Sequence, residues 1–268
     1  MCYSALVKKD MTFLGQTYGA TVIRDQVATF EHLNSIDPKR YPPLRRRIFP
    51  GHYAPVLAEE EGRRTIRLMR YGAYPPPHIP HPERYTTYNA RRDNLTSPFW
   101  SDAYMKHHGF VVLEGMYEWV LVKDLLKAEV VSLDKVKHYF EKQTQARKEK
   151  ILAEGKRYKP TPTELKNPLE RRIIIEFRPQ NQKLLQVPVI FSTYPSANGV
   201  DGWGFAIVTD EPPPEVEQAG HDRCPVILRQ DGLSTWLAPS RHTVLETSKS
   251  LDLRDTILFD HDLEPGVG

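Results

Sequence analysis

Apolar residues fall along this chain in short clusters divided by polar and proline-rich stretches, the spacing of strands joined by turns. Ala5, Leu6 and Val7 predict a short opening strand, and residues 25–33 predict a helix. The basic, proline-rich stretch 38–55 reads as a loop, followed by strands near 54–57 and 65–69. Residues 71–82 contain Pro75, Pro76, Pro77, Pro80 and Pro82 and predict an extended connection. The apolar run 110–113 predicts a buried strand that ends at Gly115 and leads into Met116, Tyr117, Glu118 and Trp119. Beyond it the pattern turns helical. Ser132 can cap a helix with Asp134 in its first turn, Val136, Phe140, Arg147 and Ile151 share one stripe, and Gly155 supplies a stop. Strand patterning resumes at 172–177, 187–193, 204–209 and 225–228, with an acidic, proline-rich loop at 210–220 and a short helix opening at 234–237.

This order predicts an α+β fold: a curved antiparallel β-sheet or open barrel with peripheral helices, forming one domain over 1–268 with a charged helical insertion at about 121–168. Neither βαβ alternation nor a glycine-rich phosphate loop is present, which argues against a doubly wound nucleotide-binding fold.

Composition sharpens this picture only locally. Hydrophobic residues make up 40% of the chain and charged residues 26%, enough for a packed core, and the 23 prolines disfavour an all-helical fold. The net charge is only +3, so nucleic-acid binding cannot be read from the total. It can be read from clustering: Lys39, Arg40, Arg45, Arg46 and Arg47 fall within nine residues, a pattern shared by phosphate-binding stripes and solvated loops. No apolar stretch is long enough to span a membrane, and the N-terminal residues lack the pattern of a secretory signal, so a cytoplasmic location is expected. Cys2 and Cys224 lack metal-ligand spacing, so no metal or other cofactor is expected.

Four elements carry candidate chemistry. Removal of Met1 would leave Cys2 with a free α-amine, whose pKa lies near roughly 7.7–8.0, beside a thiol near roughly 8.5. Such an amine condenses with an aldehyde to an imine, and the neighbouring thiol can close a five-membered thiazolidine. Asn89 offers an amide that can orient an amine or sugar oxygen, and Arg91 a planar fork suited to phosphate. Glu118 lies between two aromatic residues, where desolvation would suit it to proton transfer near neutrality. His221 can shuttle a proton, with Asp222 to orient it and Arg223 to bind phosphate. Each alone also has an ordinary structural explanation. For Glu118 that explanation is a carboxylate pointing to solvent while Tyr117 and Trp119 pack.

In this order the four resemble the SOS-response-associated peptidase (SRAP) family, abasic-site DNA–protein crosslinking proteins. The matching residues are Met1-Cys2, Asn89-Ala90-Arg91, Tyr117-Glu118-Trp119 and His221-Asp222-Arg223-Cys224-Pro225. The resemblance implies that Cys2 is the crosslinking nucleophile and that Asn89 holds the amine and sugar. It assigns acid/base work to Glu118 and ring opening to His221, and makes removal of its own Met1 the peptidase activity. It further implies a monomer that binds single-stranded DNA containing abasic sites in a positively charged channel. Arg91, Arg223, Arg45, Arg46 and Arg47 would serve the phosphates there, and Tyr71, Tyr74, Phe99 and Trp100 the bases. The chain departs from the family pattern at Tyr3-Ser4, Tyr71-Gly72-Ala73-Tyr74, Glu114-Gly115 and Ser192-Thr193-Tyr194. Two other functions remain open at the level of sequence: an N-terminal-nucleophile amidohydrolase acting on small amides, and a non-covalent single-strand binding module.

Overall fold

The computed structural model describes residues 4–180 and 183–263. The chain opens with β1 (Ser4–Val7), α1 (Met11–Tyr18), β2 (Thr21–Val22) and α2 (Arg24–Ile36). Asp10 caps α1 by accepting from the Phe13 amide, and Gly19 ends it in the left-handed region that glycine tolerates. The sequence pattern misses α1, where Met11, Leu14 and Tyr18 keep a helical spacing over only about two turns. Next come β3 (Arg47–Ile48), β4 (Tyr53–Glu60), β5 (Arg63–Tyr71) and β6 (Asn89–Arg91). The stretch expected to be a loop from 38 to 55 therefore contains β3 and the start of β4.

The central element is β7 (His108–Leu121), followed by α3 (Val122–Lys127) and α4 (Leu133–Ala153). The strand expected to stop at Gly115 instead runs through it for 14 residues. Ser132 caps α4 by accepting from Lys135 N. Gly155 closes the helix in a left-handed conformation, with Gly155 N donating to Leu152 O and Lys156 N to Ile151 O, the paired bonds of a Schellman motif. The remaining elements are β8 (Arg172–Pro179), β9 (Leu185–Thr193), β10 (Trp203–Asp210), α5 (Pro214–Gln218), β11 (Cys224–Pro225), α6 (Gln230–Leu237), α7 (Val244–Ser250) and β12 (Phe259–Leu263). The acidic stretch 210–220 thus holds a short helix. The strand expected over 225–228 shrinks to β11 plus a bridge from Leu228 to Arg254, and α6 starts four residues earlier than its pattern suggested.

These strands make one mixed, mainly antiparallel sheet that curls. β4 pairs with β5, β5 with β10, β10 with β9, β9 with β7, and β7 with β4, so the pairings return on themselves. The seam is the parallel contact of β5 with β10, where only Gly204–Arg70 and Phe205–Tyr71 pair. Inside the ring lie Val56, Met69, Tyr71, Val111, Val187 and Phe205. The alternate residues Leu57, Ile66, Phe110, Ile190 and Ala206 face outward, where Leu14 of α1 and Trp236 of α6 cover them. Buried apolar surface on both sides of the same strands explains why they read as nearly continuous hydrophobic runs.

β7 serves two neighbourhoods in turn. Its first half lies between β4 and β9, and its second half between β1 and β8. At the changeover Leu6 pairs with Gly115 while Val7 pairs with Leu113, which leaves Glu114 as the extra residue of a β-bulge. Arg46 holds the Glu114 carboxylate at 2.6 Å, and Lys8 approaches it at 3.7 Å. Gly115 is required by close approach, since a Cβ there would lie 2.8 Å from the Phe177 carbonyl oxygen.

Candidate active site

A single inserted residue reverses which side of a strand every later side chain faces. After the bulge, Met116 and Val120 point into the main core, and Glu118, between them on the same face, is carried inward. Only 1% of Glu118 remains exposed, whereas its neighbour Trp119 is 39% exposed on the opposite face. The arrangement in which Glu118 meets solvent while both aromatic neighbours pack is therefore excluded. Ile175, directly across from Glu118 on β8, adds to the apolar surroundings. Burial raises the Glu118 carboxyl above the usual carboxylate range, and His221 opposes that rise.

His221 meets Glu118 from a distant part of the chain. Its Nε2 lies 2.9 Å from Glu118 Oε2, and both residues are buried. The histidine follows α5 directly. Gly220 N donates to Glu217 O and His221 N to Val216 O, again a Schellman pair, with Gly220 at positive φ. His221 Nδ1 lies 2.7 Å from the Arg223 carbonyl, which accepts its proton and turns Nε2 toward the carboxyl. The outer side of His221 borders a pocket of about 550 Å³ whose walls include Glu211, Glu217, Asp222 and Arg223.

Asn89 enters from β6. Its pairing partner on β10 is Ile207, an interior residue, while Ala90 pairs with Val208 on the exterior. Asn89 therefore lies on the interior face, buried to 4% exposure. β1 runs antiparallel to β7 with Ser4 opposite Tyr117, so the start of β1 lies one residue from the position of Glu118. Arg47 secures that end: its Nε donates to Ser4 Oγ at 3.1 Å, and its guanidinium lies 3.7 Å from the Tyr117 ring centroid. Tyr117 in turn donates to Glu176 Oε1 at 2.9 Å. Cys2 lies outside the described residues. Cys224 is a free, buried thiol beside Met116, and burial pushes its pKa up, which makes it a poor nucleophile.

The other sequence candidates divide by exposure. Tyr71 is wholly buried and stacks on Phe205, so it packs the core and cannot stack on a base, and Phe99 and Trp100 are likewise buried. Tyr74 is half-buried, with its ring against Tyr194 and near Arg70. Arg45 and Arg46 are exposed, the latter tied to Glu114, while Arg47 is engaged with β1 and β7. Arg91 is exposed and held by Asp93 through two hydrogen bonds of 2.9 and 2.5 Å, and Arg223 approaches the same carboxylate at 3.9 Å. Asp93 was not singled out from the sequence, although an acid two residues after an arginine is the available signal. Among the described residues no group of His, Cys, Asp or Glu is arranged to hold a metal ion, and no helix is long and apolar enough to cross a membrane.

Known proteins with this architecture fit the same picture. A crystal structure of a protein from Bacteroides thetaiotaomicron is similar, with TM-score 0.60 and 15% identity, over 99% of this chain and 93% of that one. A protein from Bordetella bronchiseptica gives TM-score 0.57 and 14% identity, over 98% and 99% of the two chains. A phage-related protein from the same organism gives 0.53 and 15%, over 90% and 92%. At these identities the likeness speaks for the fold. No curated protein matches the chain. The family model for SOS response associated peptidases matches residues 13–256, most of the chain, and on that match this protein belongs to the SRAP family.

Proposed function

We propose that this protein processes abasic sites in single-stranded DNA by forming a thiazolidine crosslink through Cys2 after removal of its own Met1. The observation that supports this most strongly is the buried Glu118–His221 pair at 2.9 Å, placed one register position from the start of β1. Cys2 stands two residues before Ser4, and covalent geometry limits the separation of their Cα atoms to about 7 Å.

The chemistry follows from the groups gathered there. The α-amine of Cys2 adds to the aldehyde carbon of the ring-opened deoxyribose, giving a carbinolamine. Glu118, whose protonated form burial favours, donates a proton to the departing hydroxyl, which leaves as water and yields the iminium. The Cys2 thiol passes its proton to His221, the sulfur adds to the iminium carbon, the C–S bond forms as the C=N π pair returns to nitrogen, and the N–H already present makes the ring's secondary amine. His221 returns the proton to Glu118 and assists opening of the sugar ring, and Asn89 orients the amine. The pocket beside His221 mixes Arg223 with Glu211 and Glu217, which suits a neutral sugar better than a phosphate. Phosphates then fall to the exposed Arg45, Arg46 and Arg91.

The test uses the purified protein with a uracil-containing single strand and uracil glycosylase. A band that survives denaturant without borohydride is expected, with a mass equal to protein lacking Met1 plus oligonucleotide minus one water. Cys2→Ala should abolish the band while retaining DNA binding. A band of equal yield from Cys2→Ala, or release of an amine from a small amide with no DNA adduct, overturns the proposal.

A further inference from the structure

We propose that the helical segment between β7 and β8 carries a phosphate-binding pocket built around Arg171. Arg171 precedes β8 and is only 9% exposed, yet its Nε has no hydrogen-bond partner, and its guanidinium makes no ion pair among the described residues. What it does have is the face of Phe140, with Cζ 3.4 Å from the ring centroid. Glu164 acts on it through space but is already held by Arg147 at 2.7 Å. A buried cation without a counter-charge is costly, and removing water from it without supplying an anion leaves that cost standing.

The pocket it borders measures about 510 Å³, and its walls include Lys137, Glu141, Lys148 and Tyr158. Lys137, Glu141 and Lys148 share one exposed face of α4, so three cations and one acid converge on the cavity. Lys137 has only a loose contact with Asp134 at 4.0 Å. A guanidinium fork with two mobile ammonium groups matches a multiply charged, tetrahedral phosphate better than a single carboxylate. Two sources of phosphate fit. Val122 N donates to Arg171 O, and Val122 stands four residues beyond Glu118, about 13 Å along the strand. A backbone phosphate of a strand bound at Glu118 is one source, and that source alone rests on the function proposed above. A free phosphomonoester is the other.

Calorimetric titration of the full-length protein with inorganic phosphate at low salt tests the pocket, followed by titration with an intact single-stranded oligonucleotide. Wild type should bind phosphate. The double variant Lys137→Gln/Lys148→Gln, both on an exposed helix face, should bind it about tenfold more weakly, and Arg171→Met should lose it. If the DNA backbone is the source, the double variant also binds the oligonucleotide more weakly with a shallower salt dependence. If a free phosphomonoester is the source, oligonucleotide binding stays unchanged while phosphate binding falls. Wild-type protein that forms the Cys2 adduct but binds no phosphate overturns the pocket and leaves the crosslinking proposal intact. Equal phosphate affinity in wild type and the double variant also overturns it.

Discussion

Leu113 and Glu118 face the same side of β7 although they stand five positions apart, a spacing that puts residues of a regular strand on opposite faces. The bulge at Glu114 accounts for the reversal. It brings a carboxylate into a barrel interior otherwise filled by Met116, Val120, Ile173 and Ile175, where burial favours its neutral form and His221 Nε2 lies 2.9 Å away. One extra backbone residue thus turns a glutamate that would face outward into a buried acid.

Glu118→Gln should separate chemistry from stability. The amide keeps the shape but cannot give up a proton, so adduct formation should slow by roughly 10²–10⁴ while DNA affinity is retained. Burial holds the Glu118 carboxyl above its unfolded value. A carboxyl raised in this way stabilises the folded protein fully below the unfolded range near ~4.3, and that contribution is lost as pH rises through the folded value. Glutamine mimics the protonated form at every pH. Urea unfolding should therefore find the variant equal to wild type near pH 4 and more stable than wild type at pH 8. A variant less stable at pH 8 would show that the ionised pair with His221 outweighs burial.

Asp93 restrains Arg91, which the proposed function assigns to a DNA phosphate, and also approaches Arg223 beside the sugar pocket. It accepts both bonds from Arg91 and draws in Arg223. Asp93→Asn removes the competing charge and should tighten single-strand binding about three- to tenfold at low salt, with the salt dependence steeper by about one phosphate contact. Fluorescence anisotropy at several salt concentrations measures both. Unchanged affinity and slope would mean that neither arginine meets the strand.

His108 is a structural histidine whose protonation opposes folding. Its ring stacks on Trp236 at 3.8 Å, Nδ1 donates to the Trp236 carbonyl at 2.8 Å, and Nε2 accepts from Met105 N at 3.3 Å, so the neutral form uses both nitrogens. Burial pushes its pKa down to about 3. A histidine lowered in this way contributes stability that is full above about 6.5 and drains away as pH falls toward its folded value. His108→Phe keeps the stack and loses both hydrogen bonds, at a cost of about 2–4 kcal/mol at pH 7. At pH 4 the penalty should be smaller by at least about 1 kcal/mol, because wild type has by then lost part of its own advantage. A penalty independent of pH would place the cost in packing alone.

The sequence made the strands legible wherever both faces are buried, as in β4, β7, β9 and β10, because burial on two sides leaves an unbroken apolar run. It concealed the elements that cover them. α7 and β12 carry a polar face and few apolar residues, and the only local mark of α7 is the capping box of Thr243 with Glu246. Of the candidate site, the residue types and their order were readable, and Glu118, His221 and Asn89 are all buried on or against the interior face. Orientation was not readable, because side-chain facing along β7 depends on a bulge that no local composition announces. The same gap explains Tyr71. A core tyrosine and a base-stacking tyrosine look alike until the fold decides which one meets solvent.

The bulge itself can be tested. Glu114→Ala should leave it in place and lose only the ion pairs with Arg46 and Lys8, both open to solvent, for under about 1 kcal/mol. Gly115→Ala forces a Cβ to within 2.8 Å of the Phe177 carbonyl, a backbone atom that cannot swing aside, and should cost about 1–3 kcal/mol. Deleting Glu114 asks more of the chain. β7 must then continue in regular alternation, which turns residues 116, 118 and 120 outward, or else hold its far half in register by pulling its near half out of line with β4 and β9. The first outcome turns Glu118 away from His221, whereas the second keeps it inward. A deletion variant that takes the first course should therefore lose adduct formation altogether, even in preparations whose circular dichroism still reports the sheet. Adduct formation at the wild-type rate by that variant would show that Glu118 need not face inward for the chemistry to proceed.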